Sequence, residues 1–247
     1  MITILIPLAG KSNFFKKSDY VFPTPLIEIN DKPIIQHCIE NYVSLKDKKF
    51  VFAVNQLDCE KFHLDNVLKL LTDHKCEVVK MPGETKGALC SCLVTLEHID
   101  PDKELIIANG DQIISENIND IVNDFKKRNL DAGIITFNSV HPKWSYARIN
   151  GDYVVETAEK KPLSKSAIAG FYYFKQAKYF FSAAMKTIEN DDSIDGIFFT
   201  APCLNQLILD NKNIGYYQID GSNFHSFYSP EKIRDYKREK FNEHSPN

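Results

Sequence analysis

Apolar and polar positions along the chain fall into two regimes. Through the first half, short apolar runs alternate with amphipathic stretches. Ile2 to Pro7 is a continuous apolar run, the pattern of a strand buried on both faces. After a polar loop, the pattern predicts a helix from about Pro33 to Val43, with Asp31 as its cap and a proline in the first turn. Phe50 to Val54 reads as the next buried strand and Leu57 to Leu71 as helical. Cys76 to Met81 reads as a strand, Thr85 to Leu96 as a helix, and Glu104 to Ala108 as a fourth strand ending in Asn109-Gly110-Asp111. Such β–α alternation predicts a parallel sheet with helices on both faces.

After Asp131 the spacing tightens. Strands are expected at Ala132 to Phe137, Tyr146 to Ile149, Tyr153 to Glu156 and Ala167 to Phe174, with Asn150-Gly151-Asp152 as a hairpin turn. A helix near Gln176 to Glu189, another beginning after Asp195, a strand at Ile214 to Ile219 and a terminal helix from Pro230 complete the chain, and the tail Glu243 to Asn247 is expected to fray. No linker separates the halves. The expectation is therefore a single α/β domain over 1–247, built on one mixed, mostly parallel sheet with an antiparallel extension. Residues 1–130 would bind a nucleotide and 131–247 an acceptor. Ligands of open α/β sheets sit at the carboxyl ends of the strands, which singles out the loops Leu8 to Pro25 and Asn109 to Gln112.

Composition narrows the function classes. The chain has 247 residues, 43% hydrophobic and 26% charged, so it can bury a sizeable core and is not a disordered sequence. Its 30 Lys and Arg against 33 Asp and Glu give a net charge of −3, which disfavours a nucleic-acid partner. No apolar stretch approaches the ~20 residues of a membrane span, and the opening MITILIPLAG lacks the positive start of a signal peptide. The six cysteines contain no C-x-x-C pair and read as reduced thiols, so a cytoplasmic protein without a zinc site is expected.

The first loop carries the first candidate chemistry. A glycine after a first strand, as in Leu8-Ala9-Gly10, lets backbone N–H groups approach a base or phosphate, and Lys11, Lys16 and Lys17 add positive charge. Alone this is a weak motif, and a solvated connection reads equally well. Further segments follow in order: Phe22-Pro23-Thr24-Pro25-Leu26-Ile27, Asp31-Lys32-Pro33-Ile34-Ile35, Pro82 to Ala88, Asn109-Gly110-Asp111, Glu159-Lys160-Lys161-Pro162, Ala169-Gly170-Phe171-Tyr172 and Phe224 to Glu231. Together they resemble the sugar-phosphate nucleotidyltransferases, which use a Rossmann-like, GT-A-type fold.

The resemblance implies a reaction in which a phosphorylated sugar, or a similar small phosphate, attacks the α-phosphorus of a nucleoside triphosphate and pyrophosphate leaves. The product would be an activated precursor for a surface polysaccharide. Charge accumulates on phosphoryl oxygens, so Mg²⁺ and fixed cations are what catalysis needs. The resemblance assigns Mg²⁺ to Asp111 and the nucleotide to Leu8, Ala9, Gly10, Gly87 and Gly110. It assigns the acceptor to Glu159, Lys161 and Gly170, with Lys161 on the incoming phosphate. The chain departs from the family's pattern at Ser12, at Phe14 where an arginine is usual, at Thr24 where a lysine is usual, and at Ser226 where a second metal ligand falls. The catalytic cations are then expected from Lys11 or Lys16. A non-catalytic nucleotide-sugar-binding or regulatory homologue, and a metal-dependent glycosyltransferase on the same fold, are the alternatives.

Other residues carry two readings each. Trp144, the single tryptophan, either stacks on the acceptor or anchors a packed corner. Asp195 either meets an acceptor hydroxyl or caps a helix, and His225 is either a metal ligand or base, or a rim residue among aromatics. Lys126-Lys127-Arg128 reads as the cationic end of a helix. No Ser-His-Asp order, H-E-x-x-H or Walker lysine appears. Base, acceptor and oligomeric state, a homo-oligomer included, stay open.

Overall fold

A computed structural model gives the fold for residues 1–10, 14–15 and 20–244. The first half contributes strands β1 (Ile2–Pro7), β2 (Glu28–Ile29), β3 (Lys32–Pro33), β4 (Lys48–Asn55), β5 (Cys76–Met81), β6 (Leu105–Ala108) and β7 (Gln112–Ile114). The second contributes β8 (Ala132–Asn138), β9 (Tyr146–Asn150), β10 (Tyr153–Ala158), β11 (Ser166–Phe174), β12 (Ile214–Gln218) and β13 (Phe224–Ser226). The helices are α1 (Ile34–Glu40), α2 (Gln56–Phe62), α3 (Leu64–Leu71), α4 (Ala88–Leu93), α5 (Ile118–Lys127), α6 (Ala177–Glu189), α7 (Thr200–Leu209) and α8 (Pro230–His244).

One mixed sheet spans both halves in the order β5-β4-β1-β6-β11-β8-β12-β10-β9. β5, β4, β1, β6, β8, β12 and β9 run one way, and β11 and β10 oppose them. The apolar run of β1 has a direct cause. Ile4 and Ile6 face one core with Phe52 and Val54, while Leu5 faces the other with Val51 and Ile107. The first core also takes Cys38, Leu68, Ile121 and Ile233 from α1, α3, α5 and α8; the second takes Cys92, Phe180 and Leu204 from α4, α6 and α7. Helices on both faces explain why the central strands carry no polar alternation.

Several boundaries differ from the sequence reading. Asp31 does not cap α1: Asn30 and Asp31 have φ 50° and 62° and form the tight turn of the β2–β3 hairpin, and Pro33 stands before the first helical residue. The helical stretch from Leu57 breaks at His63, which adopts φ 54° between α2 and α3. α4 begins only after Gly87, whose φ of 115° is incompatible with a helix. The helix expected after Asp195 starts at Thr200. Asp195 and Gly196, at φ 54° and 75°, instead form a tight turn whose flanking Ile194 and Ile197 pair.

The β9–β10 hairpin, with Gly151 at φ 58°, matches its expected turn, and Lys126 and Lys127 do lie in the last turn of α5. The small sheet of β7 and β13 was not expected. It pairs Ser226 with Gln112 and brings the chain's end beside the end of β6.

Candidate functional site

The carboxyl ends of β1, β4, β5 and β6 converge on one region. The Leu8 N–H donates to the Ala53 carbonyl at 2.7 Å, and Ala9 packs with Ala53 and Met81, the residue that leads into Pro82 to Ala88. Gly110 lies beneath this loop, where an added Cβ would stand 2.2 Å from a Leu8 methyl. Leu8, Ala9 and Gly110 are therefore one packed unit, and Gly10 is exposed at its edge with open space around it. Lys11 and Lys16, with Ser12 and Lys17, lie outside the described residues.

Gly87 fixes the Pro82 to Ala88 segment. A Cβ there would lie 2.3 Å from the Phe198 carbonyl oxygen, and the Phe198 N–H donates to the Lys86 carbonyl at 2.7 Å. The segment is thus tied to the chain just after the Asp195-Gly196 turn, and Gly87 leads directly into α4. Asp195 is exposed on that turn, so the helix-cap reading is set aside.

The end of β6 is held from two sides. Gly170, at φ 57°, sits at an irregularity of β11, and its carbonyl accepts the Asn109 N–H at 3.0 Å and the Gln112 Nε2 at 3.1 Å. From the other side, the Gln112 N–H meets Cys38 Sγ at 3.3 Å, and the Asn41 side chain bonds the Gln112 carbonyl and the Ile114 N–H, both at 3.1 Å.

Between these supports stands the half-buried Asp111. Burial pushes its carboxyl up to about 6, offset only by its own backbone N–H. No side-chain donor or cation meets that carboxylate among the described residues. A buried carboxylate without a countercharge suits a hard divalent cation such as Mg²⁺, which prefers oxygen and keeps several waters. Among the described residues there is no group of three His, Cys, Asp or Glu able to hold a metal. Substrate and water oxygens would therefore fill most of the coordination sphere.

In the second half of the chain, Glu159 is half-buried and Ser145 Oγ donates to its Oε2. Burial raises its carboxyl, opposed by the Ser145 hydrogen bond and by Lys160. Lys161 is exposed next to it and makes no ion pair among the described residues.

Trp144 resolves toward the packed corner. It meets Phe137, Phe224 and Tyr228 edge-on, and Lys143 Nζ lies 4.2 Å from its ring centre. The same ammonium is 4.0 Å from the Tyr228 ring and donates to its hydroxyl at 2.8 Å. These groups line a cavity of about 800 Å³ that reaches Ser226 and α8. His225 turns to α8, against Tyr236 and within 3.6 Å of Glu239, as a rim residue. Phe14 contacts Tyr228 edge-on at 5.5 Å, linking the first loop to this cluster.

Sequence reasoning missed Ser145, Gln112 and Cys38. A serine just ahead of a strand gives no local signal of its partner. Only the unusual density of polar and aromatic groups from His141 to Tyr146 hinted at Ser145.

Comparison with known proteins bears on the whole chain. The family model described as nucleotidyl transferase matches residues 20–217. The UTP–glucose-1-phosphate uridylyltransferase AglF of Haloferax volcanii is 25% identical over 225 residues, covering 86% of this chain and 86% of that protein. A nucleoside-diphosphate-sugar pyrophosphorylase from Vibrio cholerae superposes with a TM-score of 0.80 at 21% identity, over 96% of this chain and all of the other. A UDP-glucose pyrophosphorylase complexed with UDP-glucose gives a TM-score of 0.78 at 18% identity, over 98% of this chain and 100% of its own.

Proposed function

This chain belongs to the nucleotidyl transferase family, and from that premise we propose that it transfers a nucleotidyl group from a nucleoside triphosphate to a sugar 1-phosphate, releasing pyrophosphate. The observation that carries this reading is the placement of Asp111. A buried carboxylate without a countercharge stands at the end of β6, between a nucleotide-side loop and an acceptor-side strand.

In this mechanism the Leu8 to Gly10 backbone and the Gly87 segment hold the base and ribose, and Gly110 lets the loop close onto the strand end. Asp111 would hold Mg²⁺, and the charge stabilisation such an ion supplies would act on the triphosphate oxygens. Lys161, exposed beside Glu159, receives the acceptor's phosphate, whose oxygen attacks the α-phosphorus as the bond to pyrophosphate breaks. Glu159 accepts a hydroxyl of the acceptor. Lys11 or Lys16 supplies the remaining catalytic cation, as the sequence leads us to expect. Residues 1–130 thus serve the nucleotide and 131–247 the acceptor. UTP is the first donor to test, since the uridylyltransferase AglF carries it in its name.

We place the product among nucleotide-sugar precursors of surface polysaccharides and the protein in the cytoplasm. The six free cysteines support that compartment. Among the described residues no helix is long and apolar enough to cross a membrane.

A pyrophosphate-release assay tests the reading, with each of the four NTPs and dTTP, Mg²⁺ and a panel of sugar 1-phosphates. Acceptor-dependent release with one pairing supports it. A second reading, nucleotide-sugar binding without turnover, is favoured by one observation: Phe14 presents an aromatic ring to Tyr228 rather than a cation to a phosphate. Silence in the assay, together with a thermal shift on adding UDP-glucose, would select that second reading.

A further inference from the structure

The acceptor-side carboxylate is held at one oxygen by a hydroxyl just ahead of β9. Ser145 Oγ donates to Glu159 Oε2. A serine hydroxyl has one proton, and this bond commits it to the carboxylate. Ser145 is itself fixed: its carbonyl accepts the Ile168 N–H at 2.8 Å, and the neighbouring Trp144 carbonyl accepts the Lys160 N–H at 3.1 Å. The other carboxylate oxygen, Oε1, has no side-chain donor among the described residues.

We propose that Ser145 is a positioning residue that locks the rotamer of Glu159, so that Oε1 alone is presented to a ring hydroxyl of the acceptor. The contact selects phosphate esters carrying a hydroxyl at that point over phosphate esters without one. The idea rests on the reading of Glu159 given above and deepens it. A carboxylate held at one oxygen by a rigid donor loses little freedom when the second oxygen is bound, so orientation is set before the acceptor arrives.

The test uses the full-length protein with α-D-glucose 1-phosphate and its mono-deoxy analogues, read as KM values. Where turnover is absent, the same ligands are read as calorimetric Kd values. Ser145→Ala and Glu159→Gln should each raise the acceptor KM by about ten-fold or more, with the NTP KM unmoved. Ser145→Thr, which keeps a hydroxyl, should restore most of the loss. One deoxy analogue should bind wild type and Ser145→Ala equally, because it lacks the hydroxyl that Glu159 holds.

An acceptor KM that rises in Glu159→Gln but stays put in Ser145→Ala overturns the proposal and leaves the acceptor role of Glu159 standing. An acceptor KM unmoved in Glu159→Gln overturns that role and the proposal with it. Should Ser145→Ala fail to fold, Ser145→Cys decides: its thiol is a weaker donor, and an acceptor KM that it leaves unmoved overturns the proposal. Parallel rises in both KM values, with a lowered melting temperature and no rescue by threonine, mark a purely structural contact and also overturn the proposal.

Discussion

The backbone N–H of Phe227 donates to the carbonyl of Asp111 at 2.7 Å, joining residues from opposite halves of the chain. Beside it, β13 pairs Ser226 with Gln112. The strand end that carries Asp111 is therefore clamped from the second half through main-chain bonds, and the carboxylate takes no part in the clamp. Fold and chemistry at this position are separable.

That separation makes Asp111→Asn informative. The substitution keeps the main-chain bonds and removes the charge that would hold the metal. Mg²⁺-dependent pyrophosphate release should fall by about 10²-fold or more, with circular dichroism and the melting temperature close to wild type. Undiminished release by the folded variant would remove Asp111 from the mechanism.

Gly170→Ala should be costly to both fold and activity. The residue holds φ 57°, and a Cβ would stand 2.3 Å from Asn109 Nδ2 and 2.7 Å from Gln112 Oε1. Gln112 is fully buried, so it has little room to give. Backbone strain of about 1–3 kcal/mol is expected, read as a lower urea midpoint. Turnover should fall further, because Asn109 and Gln112 flank Asp111. A midpoint equal to wild type would show that β11 relaxes there at no cost.

Legibility in the sequence followed physical range. The strands of the parallel half were legible because burial on both faces leaves no charged residue in Ile2 to Pro7 or Phe50 to Val54, and only Thr3 is polar. The family segments located Asp111, Glu159 and Gly170. What escaped depends on contacts between distant segments. Asp31 has the composition of a helix cap, yet a short hairpin uses it at positive φ, where Asn and Asp are tolerated. Asp195 looked like a cap because the sequence does not show that Gly87 must lie against Phe198, which holds the chain in a turn until Thr200. The β7–β13 pair joins three-residue strands far apart in the chain, too short to register as a period.

Glu159 predicts a pH effect of definite sign. Burial raises its carboxyl above the ordinary 4.5, so between 4.5 and the folded value the native state binds more protons than the unfolded chain. Stability from this group therefore increases as pH falls through the folded value and is complete below 4.5. Glu159→Gln carries no such charge. It should be more stable than wild type at pH 7, and the gap should close as the pH is lowered toward 4.5. Urea midpoints of the two proteins across that range check this, and a gap that is constant with pH would refute it.

Phe14 and Thr24 give the last prediction. Phe14 is 60% exposed and touches Tyr228 edge-on, and losing that ring pair costs about 0.5–1.5 kcal/mol. Thr24 is half-buried in the single helical turn Thr24–Leu26. The double substitution Phe14→Arg with Thr24→Lys places two permanent cations on the first loop, where the triphosphate's charge develops. If the wild-type site lacks cations there, kcat/KM for the NTP should rise by about ten-fold or more, since a guanidinium offers two parallel hydrogen bonds to a phosphate. No gain in a folded double variant would mean that the wild-type loop already supplies the charge. In that case Lys11→Ala or Lys16→Ala must lower turnover, and an unchanged rate in both would exclude the loop as the source of the catalytic cations.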